Sequence, residues 1–218
     1  MTAGVTEGEG GFPSFVMRVR ALGASDSTVL RAIEEASRPD YVPRELRAHA
    51  HADWMFALPC GQATERLDDA VTLLEAARIE PHHRVLEIGT GGGFLTEVLS
   101  RLARRVVTVD RYRSLLSLAR ERHARRGRDN IVYLQRDAAA LPDLDGPFDR
   151  IVSSVAFGEA PRAFIEHLVA EGVLAAPIGP AKGPQTVMRL AKVGARFERT
   201  PVREGWFPPV QKGVAHAL

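Results

Sequence analysis

The stretch RVLEIGTGGGF, residues 84–94, decides the fold class that we predict for this chain. An apolar run ends at Ile88, four glycines interrupted by Thr90 follow, and helical spacing resumes at Phe94. A strand that enters a helix through a glycine-rich turn is typical of the first βα unit of a doubly wound sheet. Glycine has no Cβ and accepts positive φ angles, so a ligand can approach the backbone of such a turn closely.

Strands and helices alternate on the carboxyl side of this turn. Short runs of β-branched and apolar residues indicate strands, and apolar residues at helical spacing indicate helices. Apolar runs separated by Gly and Pro after Gly179 predict two or three further strands. The alternation predicts an α/β fold with a Rossmann-like, doubly wound, mostly parallel sheet. The predicted strands are 84–89, 105–109, 131–134, 148–153 and 173–177, and the predicted helices are 94–102, 115–126 and 161–169.

On the amino side of the turn, the sequence predicts a helical extension. Residues 1–14 are rich in Gly and Thr and poor in large apolar side chains, which predicts a mobile tail. Helical spacing predicts two helices between Phe15 and Ser37 and a third from Asp68 to Ala77, with an irregular proline-rich segment at 38–62 between them. We therefore expect a single domain over 15–218, divided into a helical extension, 15–80, and a Rossmann-like core, 81–218.

Composition and charge narrow the class of protein. The 218 residues are 45% hydrophobic and 26% charged, as in ordinary globular proteins, which argues against a disordered or fibrous chain. The formal net charge is +2, and arginine supplies nearly all of the positive charge. Many arginines lie within 101–130, but apolar and charged positions alternate along the helix there. We interpret this run as a solvated face rather than a nucleic-acid interface.

Cysteine and histidine usage predicts neither a disulfide framework nor a metal site. Cys60 is the only cysteine, which excludes an intramolecular disulfide and argues against a cysteine-based zinc site. His49 and His51 have no third ligand at useful spacing. The first residues do not resemble a secretory signal, and no apolar run approaches the ~20 residues of a membrane helix. Together with the single cysteine, this pattern predicts a cytoplasmic protein.

The glycine turn matches neither of two common phosphate motifs. Phe94 stands where the dinucleotide fingerprint G-x-G-x-x-G needs its third glycine, and the Gly-Lys-Ser/Thr ending of a P-loop is absent. From Glu87 to Gly93 the segment reads E-x-G-x-G-x-G. This pattern suits a ligand with a carboxylate and an ammonium group, because glycine amides and the helix N-terminus can face the carboxylate. The acidic Glu87 would favour the nearby cation.

Two acidic residues follow the next two predicted strands. Asp110 ends the second strand, about 20 residues after the turn, where a carboxylate accepts both hydroxyls of a ribose. Asp137 follows the third strand and could accept from an adenine amino group. Together with the turn, these acids predict a site for a nucleoside-containing ligand. A turn without a ligand and a nicotinamide-cofactor enzyme are the alternatives.

Six segments of the chain form a set of recognisable motifs. They are YVP at 41–43, LPCGQ at 58–62, VLEIGTG at 85–91, VDR at 109–111, FDRIV at 148–152 and EGVL with PIG at 171–179. These motifs resemble those of the protein-L-isoaspartate O-methyltransferases, a family of class I S-adenosylmethionine-dependent methyltransferases, and the resemblance covers roughly residues 25 to 210. It implies a seven-stranded Rossmann-like sheet, S-adenosylmethionine as cofactor, and methyl transfer to the free carboxylate of isoaspartyl residues in damaged proteins.

The resemblance also assigns site residues. An ionised carboxylate acceptor needs no strong base at pH 7, so the site has to orient the reactants and exclude water. Gln62 and Ala63 would line the side of the site where the methyl group is transferred, beside the catalytic candidates Thr64, Glu65 and Arg66. The cofactor-binding candidates are Glu87, Gly89, Thr90, Gly91, Gly93, Asp110, Arg111, Asp137 and Ala138.

The sequence departs from the family pattern on the substrate side. After Gly-Gln the family usually reads T-I-S-x-P, with the serine at the active site, whereas this chain reads ATERL at 63–67. The place of the serine falls on Glu65 or on Arg66. A glutamate would repel an incoming carboxylate, and an arginine would pair with it. The departure leaves two alternatives: a methyltransferase with another acceptor, such as a small molecule or RNA, and a cofactor-binding module without catalysis.

Overall fold

The computed structural model describes residues 11–140 and 144–216. Within these ranges the chain forms a mixed α/β structure. The helices are α1 (Phe12–Ala21), α2 (Ser27–Ala36), α3 (Leu67–Ala77), α4 (Phe94–Leu102) and α5 (Arg113–Arg125). The strands are β1 (Ala57–Leu58), β2 (Gln62–Ala63), β3 (Arg84–Ile88), β4 (Arg105–Asp110), β5 (Ile131–Gln135), β6 (Phe148–Ser153), β7 (Leu168–Ile178), β8 (Gln185–Val193) and β9 (Arg196–Gly205). Short 3₁₀ helices lie at Arg38–Asp40, Arg44–His49, Ala138–Ala140 and Arg162–His167.

Seven strands form one sheet in the order β5-β4-β3-β6-β7-β8-β9. Strands β3 to β7 are parallel, and β8 and β9 pair antiparallel at one edge. The predicted Rossmann-like, mostly parallel seven-stranded sheet is therefore confirmed. The strand order reverses between β3 and β6, and ligands of open α/β sheets bind at the carboxyl ends of the strands beside such a switch point.

Alternate residues of the central strands face opposite layers, as the two-residue period of a strand requires. Val85 of β3 packs against the helices of the N-terminal half, in a cluster that includes Phe15 of α1 and Leu73 of α3. Leu86, its neighbour in β3, packs on the other face with Phe164 of a 3₁₀ helix. The helical extension thus shares a hydrophobic core with the sheet, and removing a side chain such as Leu73 would cost about 2–5 kcal/mol.

The N-terminal helices begin close to the predicted places. Helix α1 starts at Phe12, with Pro13 in its first turn, so three residues of the predicted tail 1–14 belong to a helix. Residues 1–10 lie outside the described part of the chain. Helix α2 begins after Asp26, whose carboxylate accepts hydrogen bonds from the Thr28 and Val29 amides and so caps the helix. The segment predicted to be irregular, 38–62, contains two short 3₁₀ helices and strand β1.

The predicted helix at 161–169 is wrong in type and in length. A 3₁₀ helix occupies Arg162–His167, and Leu168 already begins strand β7. Leu168 pairs with Phe148 of β6 and is buried in the sheet's second hydrophobic cluster. Tertiary pairing therefore overrides the local helical spacing. Strand β7 is also longer than the predicted 173–177.

Part of the arginine run surrounds a buried carboxylate instead of forming a solvated face. Glu97 of α4 is fully buried, and its Oε1 lies 2.9 Å from Arg101 and 3.3 Å from Arg126. The Tyr41 hydroxyl donates to Oε2 of Glu97 at 3.3 Å. These contacts join the helical extension to the core. Among the described residues, no helix is both long and apolar enough to span a membrane.

Candidate active site

A cleft opens at the carboxyl ends of β3 and β4, beside the switch point. We call it the β3–β4 cleft. Gly89 and Gly91 of the turn and Asp110 at the end of β4 form its floor. Residues Gln62, Ala63 and Glu65 form one wall, and 208–211 form another. Arg111, Arg136, Ala138 and Ser154 are among the other lining residues.

The glycine turn after β3 takes a shape that other residues would strain. Gly89 has φ +94°, and a Cβ there would lie 2.5 Å from the Ser154 hydroxyl oxygen. Gly93 has φ +93°, and a Cβ there would lie 2.9 Å from both Ala119 and His123 of α5. Positive φ and this close packing both require glycine at the two positions. The turn therefore keeps its backbone exposed to the cleft while its other side packs against α5.

Two side chains of α5 hold carbonyl groups of this turn, and sequence analysis missed both. Arg122 donates to the Gly92 carbonyl at 2.7 Å, and His123 Nε2 lies 2.8 Å from the Gly93 carbonyl oxygen. Because that carbonyl only accepts, Nε2 carries the proton and Nδ1 accepts from the Tyr133 hydroxyl at 2.6 Å. Burial lowers the pKa of His123, which favours this neutral ring. The helical spacing of Leu116, Ala119 and His123 was the available signal for a buried histidine.

Asp110 lies where the sequence predicts it, at the carboxyl end of β4 and on the cleft floor. Its Oδ2 accepts from the Gly91 amide at 3.0 Å, and its Oδ1 accepts from the Tyr112 amide at 2.9 Å. Burial raises the pKa of Asp110, and these backbone hydrogen bonds oppose that rise. Each carboxylate oxygen has two acceptor positions, so the fixed carboxylate can still accept from a ligand in the cleft.

Glu87 and Thr90, two of the cofactor-binding candidates, are not among the residues that line the β3–β4 cleft. Glu87 is fully buried, and its Oε2 accepts from the Thr96 hydroxyl at 2.5 Å and the Thr108 hydroxyl at 2.6 Å. Burial raises the pKa of Glu87 to about 8, so the side chain is mostly protonated at pH 7. Thr90 shares a 2.6 Å hydrogen bond with Thr108. Glu87 lies on the same face of β3 as Val85, the face that the helices of the N-terminal half cover. Glu87 and Thr90 therefore support the turn from behind. Gly93, also outside the lining, supports the turn by its close packing on α5.

At the end of β5, Asp137 faces the segment 208–216 rather than the cleft. Its Oδ2 accepts from the Gly213 amide at 2.6 Å, and its Oδ1 accepts from the Ala139 amide at 2.8 Å. Arg111 lines the cleft and donates to the Gly213 carbonyl at 2.9 Å. We call 208–216 the closing segment, because its first residues form a cleft wall and its later ones are fastened at Arg111 and Asp137. Arg136 and Ala138 line the cleft beside it.

The three catalytic candidates point in different directions. Glu65 lines the β3–β4 cleft, whereas the buried Thr64 hydroxyl accepts from the Phe56 amide at 3.0 Å. Arg66 forms an ion pair with Asp53 and does not line the cleft. Of the two residues that could stand in the place of the family's serine, Glu65 is therefore the one on the cleft wall.

A buried arginine fixes the backbone and side chain of Glu65. Arg38 is fully buried and donates to the Glu65 carbonyl at 2.6 Å, and its Nη1 lies 3.4 Å from Oε1 of Glu65. Its guanidinium lies 4.8 Å from the ring centroid of Phe94 and 5.9 Å from that of Phe56. Cation–π contacts and the ion pair offset the desolvation of this cation. Sequence analysis missed Arg38, because nothing in the 38–62 segment distinguishes it from surface arginines.

A group of potential metal ligands lies away from this cleft. Within the described residues, Glu80, His82 and His83 offer ligand atoms within 4.8 Å of one another. They precede β3, at the opposite edge of the sheet from the cleft. The His83 Nδ1 atom accepts from the Glu80 amide at 2.9 Å, so this nitrogen is already used. His49, one of the two histidines considered in the sequence, stacks on Trp54 with ring centroids 5.1 Å apart.

Comparison with known proteins identifies the family. The model of the family "Protein-L-isoaspartate(D-aspartate) O-methyltransferase" matches residues 14–215. The chain belongs to this family. A protein-L-isoaspartate O-methyltransferase of Bradyrhizobium sp. (strain BTAi1) is 37% identical over 204 residues, covering 94% of this chain and 95% of the relative. One of the same name from Xanthobacter autotrophicus is 37% identical over 219 residues, covering 100% of both chains.

A solved structure supports the fold of this family member. A Plasmodium falciparum structure, described as a protein-L-isoaspartate O-methyltransferase in complex with S-adenosyl-L-homocysteine, superposes with a TM-score of 0.80. It is 17% identical, and the match covers 94% of this chain and 100% of that chain. At this identity the likeness concerns the fold. The shared fold extends over nearly the whole of both chains.

Proposed function

We propose that this protein transfers a methyl group from S-adenosylmethionine to the free α-carboxylate of isoaspartyl residues in damaged proteins. Membership of the protein-L-isoaspartate O-methyltransferase family over residues 14–215 supports the reaction. The observation that carries the proposal to particular residues is the β3–β4 cleft, which places Asp110, the glycine turn and Glu65 around one space. We further propose that the protein acts in the cytoplasm, which its single cysteine, free in the structure, supports.

The lining of the cleft fits S-adenosylmethionine. The Asp110 carboxylate is held by two backbone amides and keeps acceptor positions for the ribose hydroxyls. Gly89 and Gly91 would face the methionine part, and Arg111 and Ala138 would lie beside the base. Glu87, Thr90, Gly93 and Asp137 would act indirectly, by holding the turn and the closing segment. The chemistry that bound S-adenosylmethionine supplies is a methyl group on a positively charged sulfur.

The residues of the chain then have to orient the acceptor and keep water out. A carboxylate is ionised at pH 7 and attacks without losing a proton, so no side chain needs to act as a strong base. In-line displacement depends on orientation, which rigid walls provide. Gln62 and Ala63 stand on a short hairpin on one side, and Pro208 and Pro209 of the closing segment form an apolar wall. Apolar walls also limit the entry of water.

Isoaspartyl proteins and peptides are the partners that we propose, rather than nucleic acid. Arg101 and Arg126 pair with Glu97 and with other acidic side chains, and Arg122 is bound to the glycine turn. These arginines are therefore engaged within the protein. A nucleic-acid interface would need a stripe of cations available to phosphates.

The test is methyl transfer from labelled S-adenosylmethionine to an isoaspartyl peptide and to the same peptide with a normal aspartyl residue. We expect label in the isoaspartyl peptide only, in an amount that grows with enzyme and time. Binding of S-adenosylhomocysteine is measured by calorimetry on the same sample. Binding without any labelling of the isoaspartyl peptide would contradict the proposed reaction and direct the search to other acceptors.

A further inference from the structure

The cleft wall that we propose to face the acceptor carries an acidic side chain, Glu65. Glu65 lines the β3–β4 cleft with the neutral residues Gln62 and Ala63, and its side chain is 12% exposed. Asp110 is the other acidic residue among those that line the described cleft. Asp110 lies on the cleft floor and accepts hydrogen bonds from two backbone amides. Glu65 is therefore the acidic group of the wall that it forms with Gln62 and Ala63, which we call the hairpin wall.

Nearby cations neutralise Glu65 only in part. Arg38 lies behind the wall, fully buried, and reaches Oε1 of the carboxylate at 3.4 Å. Its shorter contact, 2.6 Å, is with the Glu65 carbonyl oxygen. Arg66, the next residue, is paired with Asp53 outside the cleft. Among the residues that the structure describes, none pairs with the second carboxylate oxygen, Oε2.

Two arginines line the cleft, Arg111 and Arg136, and both lie away from the hairpin wall. Arg111 is fastened to the closing segment through Gly213, and it lies over the Tyr112 ring at 4.9 Å. Arg136 follows β5 and donates to the Gln135 carbonyl at 2.9 Å. Both follow the strands that carry the proposed ribose and base contacts. The cleft is thus acidic at the hairpin wall, at Glu65, and basic near Arg111 and Arg136.

We propose that Glu65 makes the enzyme select isoaspartyl peptides that carry lysine or arginine beside the isoaspartyl residue. This inference rests on the proposed function. A carboxylate acceptor brings a negative charge toward Glu65, and a neighbouring cation of the peptide offsets that repulsion by pairing with Oε2. An acidic neighbour adds to the repulsion. The protein's net charge of +2 would by itself favour acidic peptides, so a preference for cationic ones would be a local effect.

The test is competition between two isoaspartyl peptides in one reaction, one with lysine and one with glutamate on both sides of the isoaspartyl residue. Their labelling ratio gives the ratio of kcat/KM values, which does not depend on how much of a variant is folded. We expect the parent to favour the lysine peptide about fivefold at low salt, as for a partly exposed ion pair. Added salt should reduce that ratio toward one.

Two variants assign the preference to one side chain. Glu65→Gln keeps the shape and removes the charge, so it should lose the preference, whereas Glu65→Asp should keep most of it. Glu34→Gln makes the same charge change at an exposed position of α2 and should keep the ratio of the parent. An equal ratio in the parent, or an unchanged ratio in Glu65→Gln, would overturn the inference and leave the proposed function standing. Failure to label either peptide would overturn both.

Discussion

Asp110 is the residue on which proposed cofactor binding depends most. In Asp110→Asn one acceptor oxygen and the charge are lost, while the size of the side chain is kept. Because hydrogen bonds to a charged acceptor are worth about 1.5–3 kcal/mol, we expect S-adenosylhomocysteine to bind roughly 10- to 100-fold more weakly. Titration calorimetry measures this, with Asp129→Asn, an exposed site, as the matched control. Equal affinity in parent and Asp110→Asn would contradict the ribose assignment.

Glu87 should make stability depend on pH. Its pKa is about 8 in the folded protein and 4.5 as its ordinary value, so the folded state binds the extra proton between these values. The resulting stabilisation is fully present below pH 4.5 and is lost as pH rises through 8. Glu87→Gln cannot titrate, so its free energy of unfolding should rise relative to the parent between pH 5 and 8. The relative change is at most about 1.4 kcal/mol per pH unit.

Urea unfolding at a series of pH values measures this difference for Glu87→Gln. The comparison with the parent cancels the contributions of other groups, such as Asp69, whose pKa burial raises to about 6. Glu45→Gln, at an exposed position, serves as the control and should stay parallel to the parent. If the Glu87→Gln curve also runs parallel, the raised pKa of Glu87 is wrong.

The sequence predicts some of these residues and not others for a physical reason. Asp110 and the glycine turn follow from the ends of parallel strands, which meet at one edge of the sheet. Glu87 belongs to the motif of the turn, which predicts a contact with the ligand. The two-residue period of β3 places it on the same face as Val85, toward α4. Arg38 and His123 act through contacts distant in sequence, which spacing alone does not reveal.

At the scale of elements, the packing of α5 against the glycine turn is open to a sharp test. In Gly93→Ala the new Cβ meets Ala119 and His123 at 2.9 Å, at a φ of +93°. Strained backbone costs about 1–2 kcal/mol and overpacking about 1–3 kcal/mol, so we expect a loss of roughly 2–5 kcal/mol in unfolding free energy. Chemical denaturation measures the loss.

Gly127→Ala is the matched control for this substitution. Gly127 also has a positive φ, +66°, but a Cβ there meets nothing within 4 Å. We therefore expect only the backbone cost, about 1–2 kcal/mol. Similar losses in Gly93→Ala and Gly127→Ala would mean that α5 does not press on the turn as the structure indicates.

Elements with strong periodicity were predictable, and those decided by tertiary pairing were not. Helix α4 and strand β4 lie where the spacing predicts them, within a residue at each end. The 161–169 region shows the opposite case. Leu168 has helical spacing in the sequence, but pairing with Phe148 and burial in the sheet's core place it in β7. Local spacing carries no information about such a distant partner.

At the scale of the whole molecule, the closing segment joins the late part of the chain to the ends of β4 and β5. The Gly213 amide donates to Asp137, and the Ala215 carbonyl accepts from Gln135 at 2.9 Å. In Asp137→Ala the Gly213 amide loses a charged acceptor. We expect hydrogen exchange in 211–216 to speed up about tenfold or more, and S-adenosylhomocysteine to dissociate faster. Mass spectrometry and stopped-flow mixing measure the two rates.

Asp129→Ala is the control for this prediction, because it removes an exposed carboxylate away from the segment. Its exchange in 211–216 should match the parent. Unchanged exchange in Asp137→Ala would mean that Asp137 does not fasten the closing segment. Faster exchange with unchanged dissociation would mean that the segment does not retain the ligand.

The central claim is that the β3–β4 cleft delivers a methyl group to the isoaspartyl α-carboxylate. The most direct measurement offers an isoaspartyl peptide and its aspartyl twin to the enzyme in one reaction and maps the methyl ester by fragment mass spectrometry. We predict an ester on the isoaspartyl α-carboxylate of the first peptide, none on the twin, and greatly reduced transfer by Asp110→Asn at limiting S-adenosylmethionine. Equal methylation of both peptides, or of neither while S-adenosylhomocysteine binds, would contradict the account.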